Sequence, residues 1–244
     1  PFASTGSGGA SLTVASGTVT AEAAALVTGE DPGVDLDGVL SVASAPFTVT
    51  DNFTLEAWFR LAGTVANRHL LAVGNPGVNG YGLFVSAPSS GSAGRRIQAL
   101  YGGVGFVNSG VDATDGEIYH VVLRRQSGTS QLFVNGAPAG STSVSAPSTP
   151  SATTTISFDG EVAFAAAYST ALSADRIAAH YAAGALLFTT YEARVLADEP
   201  ALYWPFQESS DGGTADSIVG DAAKDGTRYG SSGSTLGAAG ILPA

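Results

Sequence analysis

The chain has 244 residues, of which 44% are hydrophobic and 13% charged, with no cysteine and a formal net charge of −11. These values exclude a disordered polar chain, disulfide bonds, thiolate metal sites and cysteine nucleophiles, and the negative charge disfavours nucleic acid as a partner. The longest apolar stretches fall far short of the ~20 residues that cross a bilayer, so we expect no membrane insertion. The 32 glycines, with many serines and threonines, predict short strands joined by frequent turns, and so an all-β fold.

The amino-terminal part of the chain predicts loosely specified structure followed by regular strands. Residues 1–33 are rich in small side chains and are expected to form an arm or an edge strand. From Val34 onward, VDLDGVLSV, FTLEAWFRL, HLLAVG, GYGLFVS and RRIQALYG have strand length and are separated by Gly, Pro, Asn and Ser. They predict a meander of antiparallel strands.

The clearest pattern in the chain is IYHVVLRRQSGTSQLFVNG, residues 118–136. Two alternating runs are joined by QSGT, and Asn135 with Gly136 supplies the positive-φ dipeptide of a second tight turn. The segment therefore predicts three consecutive antiparallel strands. The tract STSVSAPSTPSATTT then predicts a loop within the domain, after which ISFDGEVAFAAAYS resumes a strand.

One helix is predicted, in the segment ALSADRIAAHYAAG near residues 173–183. Ser173 is its expected N-cap, apolar residues four apart form one face, and Gly184 is expected to end it. Beyond it, residues 187–244 contain a helix-like start, TTYEARVLADEP, and a strand pattern, ALYWPF. The rest of this segment is rich in Gly, Asp and Ser and has too few apolar residues to build a core alone.

Taken in order, FTLEAWFRL, GEIYHVVLRRQSGTSQLFVNGAPAG and ISFDGEVAFAAAYSTALSADRIAAHYAAG resemble the laminin-G-like, concanavalin A-like jelly rolls of bacterial surface proteins and phage virions. The resemblance implies a concanavalin A-like jelly-roll β-sandwich over residues 34–186. Residues 187–244 resemble the start of a second such domain. Because the first and last strands of this jelly roll are neighbours, residues 202–206 are also candidates to complete the sandwich of this chain or of a neighbouring subunit.

Carboxylates on the predicted strands and loops are the candidates for a metal site. Asp35, Asp37, Asp51, Asp159 and Glu161 are acids of the kind that bind Ca²⁺ in many relatives, and Ca²⁺ is the one cofactor candidate. Capping of turns is the competing interpretation. Asp159 and Glu161 share one strand face, but the E-x-D-x-x-E strand of laminarinase-like relatives is missing, so a hydrolytic pair is disfavoured and no catalytic residue is assigned.

Aromatic side chains are the candidates for sugar recognition, since a sugar ring stacks on an aromatic face while polar groups bind its hydroxyls. Tyr81, Tyr101 and Phe106 lie beside the glycine-rich turns GVNGYG and LYGGVGF and are the expected exposed platform, with Asn108 as a nearby polar group. Trp58 is expected in the core. The three histidines are scattered and none has a second ligand at metal spacing, so zinc and histidine-based catalysis are not expected.

The residues and the resemblance together predict a non-enzymatic binding or assembly module on a virion or extracellular surface, in particular a tail or capsid-decorating protein of a bacteriophage. Its expected partners are neighbouring virion or surface-protein subunits and host cell-surface glycans. Unpaired sheet edges predict a homo-oligomer. A calcium-dependent lectin is the first alternative, and a glycoside hydrolase is the second.

Overall fold

The computed structural model describes residues 12–21, 34–62, 68–75, 77–86, 95–102, 105–143, 145–186, 195, 198, 200 and 202–204. Within these residues lie twelve strands and one helix, namely β1 (Thr13–Ala21), β2 (Val34–Val42), β3 (Phe53–Leu61), β4 (Arg68–Asn75), β5 (Asn79–Val85), β6 (Arg95–Tyr101), β7 (Gly105–Ala113), β8 (Ile118–Gln126), β9 (Thr129–Val134), β10 (Ala137–Ser143), β11 (Thr154–Tyr168), α1 (Ala174–Leu186) and β12 (Leu202–Trp204). No helix in the described ranges is long and apolar enough to span a membrane.

Strand β11 joins the two layers of the molecule. Residues 154–162 pair with β2 on one side, while on the other side β11 pairs first with β4 and then, from residue 160, with β3. One arm of the sheet continues as β3-β8-β9-β10 and the other as β4-β5-β6-β7. Apolar side chains of both arms form one continuous core, so the arms stack as a sandwich. The predicted all-β sandwich is confirmed.

The three strands predicted from residue 118 onward are β8, β9 and β10. Asn135 and Gly136 have φ of 52° and 75°, and Ser127 and Gly128 have φ of 48° and 80°. Two-residue turns with positive φ at both positions match the twist of the strands that they join. Local sequence therefore specifies both turns of this unit.

A second core lies on the outward face of β3 and β8, beneath the helix. Trp58 and Val122 project from that face and are buried against Ile177 and Ala183 of α1. Strand β3 is consequently buried on both faces, whereas most strands of an antiparallel sandwich are buried on one face only. The expected burial of Trp58 is confirmed.

The helix continues to Leu186, so the prediction that Gly184 ends it is wrong. A Cβ atom placed on Gly184 would lie 2.4 Å from Cζ2 of Trp58. Glycine is therefore needed there for close approach of the helix to the indole ring, and not for a change of backbone direction.

Both predicted edge segments pair with strands of the same chain. β1 pairs antiparallel with β2. β12 pairs antiparallel with residues 165–167 of β11, just beyond the end of the β2 ladder. The remaining predictions for residues 187–244, including the helix-like TTYEARVLADEP and the resemblance to a second domain, lie almost entirely outside the described residues.

Candidate functional site

The outer face of the β2-β11-β4-β5-β6-β7 layer carries six of the eight predicted site residues. Strand register places one residue from each of the last five of these strands in a single row, in the order Ser157, His69, Phe84, Gln98 and Asn108. In the next row, Leu100 of β6 lies opposite Phe106 of β7. Neighbouring strands are ~4.8 Å apart, so these rows form a continuous strip of side chains.

Phe106 is the most conspicuous residue of this strip, because 61% of its surface is exposed. Only Val78, 66% exposed, is comparable among large hydrophobic side chains of the described residues. Beside Phe106 lie the amides of Gln98 and Asn108, which oppose each other across β6 and β7. The Asn108 Oδ1 atom accepts a hydrogen bond from the backbone N–H of Gly110 at 2.9 Å. The amide nitrogen of Asn108 takes no part in that contact. An exposed ring next to two amides suits the apolar face and the hydroxyls of a sugar.

Tyr81 and Tyr101 lie on the opposite, inner face, so the prediction that they form an exposed platform is wrong. They are 0% and 1% exposed and lie opposite each other on β5 and β6. The Tyr81 ring stacks on Phe53 with centroids 3.9 Å apart, and its hydroxyl donates to the Val49 carbonyl at 2.6 Å. Burial raises the pKa of Tyr81, and it raises the pKa of Tyr101 to about 12.

The Tyr101 hydroxyl belongs to a polar link between the two layers. It hydrogen-bonds to Oγ of Ser130 on β9 at 2.7 Å, and the Arg125 guanidinium lies 5.7 Å from the Tyr101 ring centroid. Arg125 is only 2% exposed, donates to Ser130 at 3.1 Å and pairs with Asp51 at 3.1 Å. Asp51 also accepts a hydrogen bond from the backbone N–H of Gly128 in the β8–β9 turn. In this structure the Asp51 carboxylate therefore pairs with the buried Arg125 and accepts a hydrogen bond from the β8–β9 turn.

The four acids predicted as metal ligands are brought together by the pairing of β2 with β11. Asp35 lies opposite Glu161, and Asp37 lies opposite Asp159. Partial burial and the charge of Asp159 raise the pKa of Asp35, and partial burial and the charge of Asp37 raise that of Asp159. Burial also raises the pKa of Glu161, although Arg60 forms an ion pair with it. In the described part of the chain, no group of three or more acidic or histidine side chains is arranged to hold a metal ion, and calcium binding stays a prediction.

Beneath α1 lies a buried polar cluster that the sequence did not predict. Glu56, His120 and His180 are all 0% exposed. Nε2 of His120 lies 2.7 Å from Oε1 of Glu56, and Nδ1 of His180 lies 3.0 Å from Oε2. The Tyr168 hydroxyl donates to the same Oε2 at 3.1 Å. On the outer side, Nε2 of His180 lies 2.8 Å from Oδ2 of Asp198.

The charges of this cluster stabilise one another. Burial alone would raise the pKa of Glu56, but the charge of His180 and hydrogen bonds from both histidines lower it well below its ordinary value. Burial alone would lower the pKa of His180, but Glu56 and Asp198 raise it above its ordinary value. Arg176 forms a two-point ion pair with the Asp198 carboxylate. The only signals in the sequence are single polar residues within the apolar segments LEAWF, IYHVV and RIAAHY.

Comparison with known proteins identifies the class of this fold. A laminin-G-type model of the concanavalin A-like lectin/glucanases superfamily matches residues 28–178, which is more than half of the chain. The chain therefore belongs to that superfamily, and the predicted concanavalin A-like jelly roll is confirmed. The comparison with curated proteins gave no match.

Solved structures that share this fold include the following two. Domain 4 of an extracellular GH43 arabinanase from Geobacillus stearothermophilus, solved in complex with arabinotriose, is 12% identical with a TM-score of 0.51, over 68% of this chain and 88% of that chain. A proposed carbohydrate-binding protein from Bacteroides ovatus is 19% identical with a TM-score of 0.54, over 82% of this chain and 59% of that chain. At these identities the likeness establishes the fold and nothing finer.

Proposed function

We propose that the chain is a non-enzymatic carbohydrate-binding module of an extracellular surface, and that it binds glycan on the strip around Phe106. The observation that carries this proposal is the exposed phenyl ring of Phe106, one row away from the paired amides of Gln98 and Asn108. Membership in a superfamily of lectins and glucanases supports it. The two related structures, one bound to arabinotriose and one proposed to bind carbohydrate, support the same ligand class.

We further propose that the surface is that of a bacteriophage virion, where the module decorates the tail or the capsid as a homo-oligomer. Its partners there are neighbouring virion subunits and glycans of the host cell surface. The support is the resemblance of the three motif segments to jelly rolls of virions and bacterial surface proteins. In this proposal Asp159 and Glu161 are not a hydrolytic pair, since Arg60 already engages Glu161.

Substitution of Phe106 tests glycan binding directly. We expect Phe106→Ala to weaken the binding of soluble oligosaccharides ~10-fold or more, because the stacking surface is lost, with no change in melting temperature. Binding is measured by titration calorimetry after a glycan array has identified the ligand. Val78→Ala is the matched control, since it removes a similarly exposed hydrophobic side chain and should leave affinity unchanged. Equal affinity of Phe106→Ala and the wild type for every glycan bound would overturn the proposed site.

A calcium-dependent lectin is the second candidate function, favoured by the four carboxylates that face each other across β2 and β11. A ligand that binds only the native state raises its stability. If this candidate is right, the melting temperature rises in millimolar calcium, and Asp159→Ala abolishes the rise. Asp112→Ala, which removes an acid paired with Arg96 elsewhere on the layer, should retain it. An unchanged melting temperature of the wild type in calcium would rule this candidate out.

A further inference from the structure

The buried cluster beneath α1 connects three parts of the molecule that are distant in sequence. Glu56 lies on β3, His180 lies on α1, and Asp198 lies between α1 and β12. We propose that His180 is a proton-dependent latch, which holds Asp198 and β12 against the sandwich while it is protonated and releases them when it loses its proton.

The geometry requires a protonated imidazole. Nδ1 of His180 faces the Glu56 carboxylate at 3.0 Å, and Nε2 faces the Asp198 carboxylate at 2.8 Å. An ionised carboxylate only accepts hydrogen bonds, so both ring nitrogens must donate. Only the imidazolium form carries a proton on each nitrogen, and the neutral ring would set a lone pair against one of the two carboxylates.

The other charged and titratable groups around His180 are already committed to partners. His120 of β8 meets Glu56 through Nε2, while its buried Nδ1 has no hydrogen-bond partner among the described residues. Tyr168 of β11 donates to Glu56, and Arg176 of α1 pairs with Asp198. With His180 protonated, the carboxylates of Glu56 and Asp198 therefore face the cationic side chains of His180 and Arg176.

The two contacts of His180 are unequal, and this decides which one breaks. Glu56 is fully buried and cannot regain water, so the Nδ1–H bond to it is kept when the ring becomes neutral. The Asp198 side chain is 12% exposed, and among the described residues its carboxylate would then keep only the ion pair with Arg176, whose side chain is 37% exposed. Asp198 lies four residues before β12, which holds residues 165–167 of β11 by a ladder of only three residues. Loss of the Asp198 contact should therefore loosen β12 and open this edge of β11.

Glu56 and Asp198 raise the pKa of His180 above its ordinary value, so the ring loses its proton at a higher pH than a free imidazole does. The latch is therefore closed while His180 is protonated and opens as the pH rises. It does not depend on the proposed glycan site, which lies on the other layer of the sandwich.

Nuclear magnetic resonance of the intact wild-type chain tests the latch without any substitution. We expect the His180 ring to carry protons on both nitrogens at pH 7. Above the pKa of His180, the exchange protection of the β12 amides should fall up to 10-fold per pH unit, because one proton is released on opening. Amides in the centre of β8 should show no such fall. A neutral His180 ring at pH 7, or β12 protection that is constant up to pH 9.5, would overturn the proposal.

Two variants separate the latch from a general loss of stability. Asp198→Asn should lower β12 protection at pH 7 and remove its pH dependence, while β8 keeps its protection. His69→Gln is the matched control, because His69 lies on the other layer, and it should retain the wild-type pH dependence. Should Asp198→Asn fold poorly, Arg176→Gln weakens the same carboxylate contact while leaving His180 and both of its partners. An unaltered pH profile of β12 in Asp198→Asn contradicts the latch.

Discussion

Individual polar residues hold the interior of this sandwich together at a few defined contacts. Arg125 enters the core with its guanidinium above Tyr101, and the Tyr101 hydroxyl reaches Ser130 in the other layer. A buried charge is costly unless it is paired and hydrogen-bonded, and Asp51 and Ser130 meet that requirement. Tyr101 is therefore a structural residue, although its position beside a glycine-rich turn suggested a ligand platform.

Tyr101→Phe isolates the hydroxyl of this contact. We expect the free energy of unfolding to fall by ~1 kcal/mol, since one buried hydrogen bond is lost while the ring is kept. Urea denaturation measures the change. Tyr119→Phe removes a hydroxyl whose contact with the Thr114 N–H is exposed, and it should cost less than about 0.5 kcal/mol. Glycan affinity should not change in either variant, and a loss of affinity in Tyr101→Phe would return this residue to the candidate site.

At the scale of elements, helix α1 depends both on its own sequence and on its packing against β3 and β8. Its Ser173 N-cap is visible in the sequence, and Ser173 Oγ accepts the hydrogen bond of the Arg176 N–H at 3.2 Å. Its last turn makes a tertiary contact that the sequence does not show, since Gly184 packs on Trp58 and the helix runs on to Leu186. At residue 184, helical propensity therefore favours alanine, whereas packing against Trp58 favours glycine.

Gly184→Ala decides between these two effects. Alanine in a helix interior normally stabilises by ~1 kcal/mol relative to glycine. Here the new methyl group would overlap the indole ring of Trp58, so we expect a net loss of about 1–3 kcal/mol and a lower melting temperature. Ala182→Gly, at an exposed helical position, is the control and should cost only ~1 kcal/mol. A melting temperature of Gly184→Ala above that of the wild type would contradict the close approach.

At the scale of the whole molecule, two apolar cores share the strand β3. The inner core lies between the layers, and the outer core lies between β3-β8 and α1. The contact between the Glu56 carboxylate and the His180 ring is buried within the outer core. The stability of the whole fold should therefore depend on pH through these two groups.

The sign of that dependence follows from the two pKa shifts. The pKa of His180 is raised on folding, so its contribution is complete below its unfolded pKa of ~6.5 and is lost as the pH rises through the folded value. The pKa of Glu56 is lowered, so its contribution is complete above ~4.3 and is lost as the pH falls. We therefore expect maximal stabilisation by the pair between about pH 5 and 6.5.

Urea denaturation across pH 5 to 9.5 measures this profile. Above pH 6.5 the free energy of unfolding should fall by up to ~1.4 kcal/mol per pH unit in the wild type, and the fall should be missing in His180→Gln. His69→Gln should keep it, since burial lowers the pKa of His69 and so moves its titration away from the alkaline side. The same alkaline slope in His180→Gln would assign the dependence to another group.

Part of the candidate site could be predicted from sequence alone. The alternation of β7 places Phe106 and Asn108 on one face, and that of β11 does the same for Asp159 and Glu161. The alternation also places Tyr81 with Leu83 and Val85, which are core residues, so the inward position of Tyr81 was readable. Tyr81 and Tyr101 lie next to glycine-rich turns, but the phase of their strands, and not the turns, decides which face they occupy.

The sequence by itself determined the all-β class, the two turns around β9, the start of the helix and the face of each strand, because these depend on interactions between residues a few positions apart. Only the tertiary structure decided that Asp35 meets Glu161, or that Glu56 meets His180, which is 124 residues away. Such pairs depend on which strands become neighbours. That choice is made by burial of apolar surface over the whole chain, to which these few polar residues contribute almost nothing.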